Sequence, residues 1–64
     1  MTDTIKAMRR ELAFTQARMA EEMRVGLSTL RRYEHNPELT PAPMLRLAKL
    51  ILGQDRLKRW ILMD

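Results

Sequence analysis

The 64-residue sequence predicts an all-α fold, five short helices packed as one compact domain over residues 1–64. Three observations predict it. Apolar residues recur at helical spacing in Ile5, Met8 and Leu12, in Met19, Ala20 and Met23, and in Met44, Leu47, Ala48 and Ile51, each stripe marking a helix with one face to bury. Between the stripes stand helix openers and stoppers: Thr15, Thr40 followed by Pro41, and the two glycines Gly26 and Gly53. Apolar residues make up 45% of the chain and cysteine is absent. A core of that size must therefore be held by helix packing alone, and pairing with a second copy would add to it.

Helix 1 begins after Asp3 or Thr4, either of which can cap free amides, and runs to about Leu12. Its stripe points inward, leaving Lys6 and Arg10 as a solvated basic flank. Ala13 and Phe14 connect to helix 2, with Phe14 as a buried plug. Thr15 is the N-cap of helix 2, and Gln16 stands in its first turn, where outward-pointing N–H groups can hold a phosphate. Small Ala20 lets helix 3 approach, while Arg18, Glu21 and Glu22 face water with Arg18 and Glu22 one turn apart. A tight turn over residues 24–26, with Val25 its apolar member, leads into helix 3 at 27–34.

On helix 3, Ser28, Arg31, Arg32 and His35 fall at i, i+3, i+4 and i+7, so one face carries all four polar side chains. Leu30 and Tyr33 take the opposite face. Leu27 lies on the border, either touching a thymine methyl or finishing the core. The hydroxyls of Ser28 and Thr29 sit near the helix start, placed for a phosphate or a base edge, or simply solvated. Two short helices joined by a Gly-containing turn over 15–34 form a pattern whose second helix can enter a DNA major groove.

Three prolines and Asn36 within residues 35–43 end helix 3. Thr40 then caps helix 4, with Pro41 in its first position, and Gly53 stops it after about Leu52. Leu45, Leu50 and Leu52 widen its stripe beyond what one contact with the domain needs. Asp55 caps helix 5 at 56–63, which carries Leu57, Trp60 and Ile61. Trp60, with Leu57, Ile61, Leu62 and Met63 beside it, is hard to bury in one small monomer. A homodimer seam within 44–63, through Leu50, Leu57, Trp60 and Ile61, is therefore preferred to core completion, and a helix lying on a membrane is short for that role.

The formal charge is +4, and nine of the twelve basic residues are arginine. Arginine forks match phosphates and the guanine edge, which favours a polyanion partner over a small acidic substrate. No apolar run approaches the ~20 residues that span a bilayer, and the N-terminus passes directly into an amphipathic pattern rather than a signal peptide. The expected location is cytoplasmic, at the nucleoid. No nucleophile and base pair, metal-ligand spacing, phosphate-cradling glycine loop or carboxylate pair is present, and His35 stands alone beside Asn36. The sequence reads as a non-enzyme with no cofactor, no metal, no small-molecule substrate and no membrane partner.

The residues Thr15-Gln16-Ala17, Met19-Ala20, Val25, Ser28-Thr29-Leu30 and Tyr33-Glu34 resemble the helix-turn-helix of the phage Cro and repressor type, the XRE family. The resemblance covers residues 5–52. It implies a five-helix lambda-repressor-like domain that binds double-stranded operator DNA as a two-fold homodimer. By position it implies that Gln16 grips a phosphate, that Leu27, Ser28, Arg31 and Arg32 face bases or the adjacent backbone, and that Arg9 pairs with Glu34. With Gln16, residues Thr29, His35 and Asn36 would fix register on the DNA backbone.

Three positions depart from the family pattern. Arg24 replaces its turn glycine, Gly26 stands at a polar position, and Ala13 replaces the glycine ending helix 1. A non-glycine residue in a left-handed turn costs about 1 kcal/mol. A turn shifted by one residue, with Gly26 in the permissive place, would avoid that cost and let Arg24 reach a phosphate, and the start of the recognition helix depends on it. With no effector domain, the chain resembles the small autorepressors of phages and mobile elements, including antitoxins and anti-CRISPR-associated regulators. The Pro41-Ala42-Pro43 opening before MLRLAKLIL resembles the last group. The leading expectation is a homodimeric repressor on an inverted repeat. An antitoxin-like module bound to another protein through helices 4 and 5 is the alternative, and charge-driven binding to any nucleic acid a third.

Overall fold

The computed structural model describes residues 4–62. It contains α1 at Ile5–Leu12, α2 at Gln16–Met23, α3 at Leu27–His35, a 3-10 turn at Pro37–Leu39 and α4 at Ala42–Leu62. The expected cap at Asp3 and the expected helix end at Met63 lie outside the described residues. Among the described residues there are four α-helices rather than five, and no strand.

The first two helices open in the same way. Thr4 Oγ1 accepts from the Ala7 amide at 3.1 Å and Thr15 Oγ1 from the Arg18 amide at 3.0 Å, each satisfying an amide that the helix leaves free. They also close alike. Ala13 and Phe14 donate back to the carbonyls of Arg10 and Arg9, and Arg24 and Val25 to those of Glu21 and Ala20. This reverse bonding requires a left-handed residue just past the helix, and Ala13 (φ 59°) and Arg24 (φ 58°) supply it.

The turn is therefore not shifted to Gly26. Gly26 has φ −70°, which any residue adopts, and it caps α3 with no side-chain bond. The two backward hydrogen bonds from Arg24 and Val25 hold the left-handed residue immediately after Met23, and Val25 packs against the core one step later. Strain of about 1 kcal/mol at each of Ala13 and Arg24 is the consequence.

The core is one cluster of Ile5, Met8 and Leu12 from α1, Met19, Ala20 and Met23 from α2, Leu30 from α3, and Ala48 and Leu52 from α4. Phe14 is half-buried instead of plugging the interior, and the Arg18 guanidinium lies 4.5 Å from its ring centre. Leu45 also packs against the core, so it and Leu52 belong to the domain's own interior.

α4 departs most from expectation. The two segments read as separate helices are one 21-residue helix through Gly53. A glycine inside a helix costs about 1 kcal/mol relative to alanine, too little to break a helix whose preceding turns are packed on α1 and α2. Asp55 accordingly lies mid-helix and pairs with Arg59 at 3.0 Å instead of capping. Arg56 pairs with Glu11 of α1 and ties the second half of the helix to the domain. Nor does Thr40 cap α4: Pro41 O accepts from the Met44 and Leu45 amides, and Thr40 Oγ1 is buried with no partner among the described residues. A Cβ at Gly53 would meet nothing within 4 Å. Gly53→Ala is therefore expected to raise the unfolding free energy by about 0.5–1 kcal/mol, measured by urea denaturation; a loss of stability would mean that α4 bends there.

Candidate nucleic-acid interface

Helix α3 turns one side to the core and one to solvent. Leu30 is fully buried and Tyr33 packs against the core, whereas Ser28, Arg31, Arg32 and His35 are exposed. Leu27 is 36% exposed and outside the packed cluster, so it does not finish the core and stands at the edge of the polar face. Thr29 is half-buried on the other border. Arg24 is exposed in the turn before α3, and Asn36 is half-buried at its end, where its amide donates to Arg32 O at 2.9 Å.

What holds this helix in place is a polar junction with α1 and α2. Arg9 of α1 grips Glu34 with two parallel bonds, Nε to Oε2 at 2.6 Å and Nη2 to Oε1 at 3.1 Å, and its Nη1 donates to Phe14 O at 3.0 Å. Gln16 Nε2 adds a bond to Glu34 Oε1 at 3.1 Å. The Glu34 side chain is only 5% exposed and that of Arg9 16%, so the pair is shielded from water. A forked guanidinium on a carboxylate fixes distance and orientation together, and here it clamps the last turn of α3 to the last turn of α1.

Burial by itself would raise the Glu34 pKa. The hydrogen bonds from Arg9 and Gln16, with the positive charges of Arg9 and Lys6, outweigh it and hold the carboxyl below its usual value. Glu34 is thus an anion that its neighbours keep ionised.

Above the junction a groove is lined by Lys6, Gln16, Arg31, Glu34 and His35. Arg31 Nε reaches Gln16 Oε1 at 3.4 Å, a long bond that leans its guanidinium toward the start of α2. Lys6 is the member that sequence reasoning assigned to a solvated flank. The available signal was its position one turn before Arg9 on α1, legible only once Arg9 is placed against α3.

The residues expected at a seam lie elsewhere. Leu50, Leu57, Trp60 and Ile61 are exposed along α4, Trp60 by 68%. Leu50, Leu57 and Ile61 share a row at i, i+7 and i+11, on the side away from Ala48 and Leu52. Thus α4 has an apolar face in the core and a second one in solvent. No helix among the described residues is long and apolar enough to cross a membrane.

Comparison with known proteins adds one match. A family model described as Helix-turn-helix matches residues 5–51, which take in α1 through most of α4. Neither the curated proteins nor the solved structures give a match. With that match over most of the chain and an exposed basic α3 clamped behind α2, the protein belongs to the XRE-type helix-turn-helix family of DNA-binding transcription regulators.

Proposed function

We propose that the protein is a sequence-specific repressor that binds an inverted-repeat operator as a homodimer, each subunit placing the start and outer face of α3 in a major groove. The observation that carries this reading is the clamped α3, with Ser28, Arg31 and Arg32 exposed together in front of the Arg9–Glu34 pair. A base-reading element must be held rigidly by groups that are not themselves used for reading. Leu27, Ser28, Arg31 and Arg32 face the bases or the adjacent backbone in this arrangement, and Gln16, Arg24, Thr29, His35 and Asn36 flank them toward the backbone. Two subunits would occupy half-sites about one helical turn, ~34 Å, apart. Repression follows by overlap with the polymerase site, and the gene content we propose is that of a phage or mobile-element operon under its own product, in the manner of anti-CRISPR-associated regulators.

The test is titration of the duplex upstream of the protein's own gene against a scrambled duplex at near-physiological salt. A preference of ~1000-fold or more with two subunits per duplex supports the reading; equal, salt-sensitive binding to both removes it. Arg32→Ala is expected to cost about 1–3 kcal/mol on the operator and much less on scrambled DNA, because a bidentate guanine contact is lost. An unchanged ratio between the two duplexes would take Arg32 out of the reading set.

The exposed row of Leu50, Leu57 and Ile61, with Trp60 beside it, favours a second reading, an antitoxin-like module whose main partner is another protein seated on α4. A purified protein that is monomeric and indifferent to operator DNA would favour it.

A further inference from the structure

The groove between α1, α2 and α3 carries more than a scaffold contact. Glu34 lines it, paired with Arg9 so that the two charges cancel, and both Glu34 oxygens are already occupied by Arg9 and Gln16. That carboxylate feels the charge of Lys6 but makes no direct bond to it, and its own charge is already matched by Arg9. The cations of the rim are Lys6 and Arg31, with His35 beside them. Lys6 makes no hydrogen bond or ion pair among the described residues, and Arg31 makes only its long bond to Gln16. With Arg9 and Glu34 cancelling, Lys6 and Arg31 leave an excess of two positive charges at an open groove of about 580 Å³, next to the edge of α3.

We infer that this groove seats one phosphate of the operator backbone, with Lys6 and Arg31 as its two cations, so that Arg31 positions α3 while Arg32 reads. The inference rests on the DNA-binding reading above and divides the labour between two adjacent arginines. Arg31 is leaned toward α2 by Gln16, whose own amide is held by Glu34, so its guanidinium belongs to the groove rather than to the tip of α3. Arg32, one residue on, is exposed and has no such tether. A phosphodiester carries one negative charge and accepting oxygens suited to an ammonium and a guanidinium together. Contacts of this kind strengthen binding to every sequence alike.

The experiment measures affinity for the upstream duplex and a scrambled one across a salt series, for the wild type, Lys6→Gln, Arg31→Gln and Arg32→Gln. Lys6 and Arg31 are both exposed, so their variants are expected to melt as the wild type does. Lys6→Gln and Arg31→Gln should each weaken binding to both duplexes by about the same factor and make the slope of log affinity against log salt shallower by ~0.9. Arg32→Gln should shrink the ratio between the duplexes. A neutral methylphosphonate at one operator phosphate should abolish the difference between the wild type and Lys6→Gln. The inference is overturned if Lys6→Gln binds as the wild type, if Arg31→Gln shrinks the ratio, or if no single methylphosphonate abolishes the difference. If the wild type shows no preference for the upstream duplex but Lys6 and Arg31 still act equally and through salt, the seat stands and the specific repressor does not.

Discussion

Glu34→Ala is expected to lower the unfolding free energy by about 3 kcal/mol, because it leaves the Arg9 guanidinium shielded from water with no anion. A domain of this size has roughly 3–10 kcal/mol in total, so the substitution removes from about a third of that stability to all of it. The loss should also release the end of α3, since Arg9 and Gln16 both hold it through that carboxylate. Urea denaturation with and without the substitution measures the first effect, and a change below 1 kcal/mol would show that the junction does not hold the fold. The acid dependence gives a separate check. Because the folded state lowers the Glu34 pKa, the stabilisation is fully present above the ordinary glutamate value, about 4.3, and is lost as pH falls through the lowered one. Glu34→Gln keeps the shape without the charge, so its stability should fall less than that of the wild type on going from neutral pH into that acid range.

Trp60→Glu is expected to convert the proposed dimer to a monomer and to lower operator affinity by ~100-fold or more. Two half-sites read by linked subunits gain by effective concentration what neither subunit has alone. Trp60 stands 68% exposed amid Leu57 and Ile61, where a large aromatic residue would dominate the energy of a seam. It touches none of the core cluster, so the melting of the monomer fold should change little. Sedimentation and the operator titration together decide it. A variant that stays dimeric would move the seam off this face of α4, and a wild type that is itself monomeric would favour a different protein on the same face.

Much of the helical order was legible because it is local. The stripes of α1 and α2 and the threonine caps at Thr4 and Thr15 depend on residues within one turn of each other, so spacing reveals them. The pairing of Arg9 with Glu34, 25 positions apart, was legible only through the family resemblance, because composition and periodicity carry no sign of such a contact.

The fold class, the inward stripes and the one-sided polarity of helix 3 were determined by the sequence alone, through the 3.6-residue period and the residues that start and stop helices. Tertiary structure decided the rest. Packing of α4 on α1 and α2 carries the helix through Gly53, where local propensity suggested a break, because an interior glycine costs less than the packed turns contribute. Backward hydrogen bonds and the docking of Val25 hold Arg24 in the left-handed turn despite its Cβ. Lys6 joins a groove only because α1 lies across the ends of α2 and α3, a placement that no periodicity along a single helix encodes.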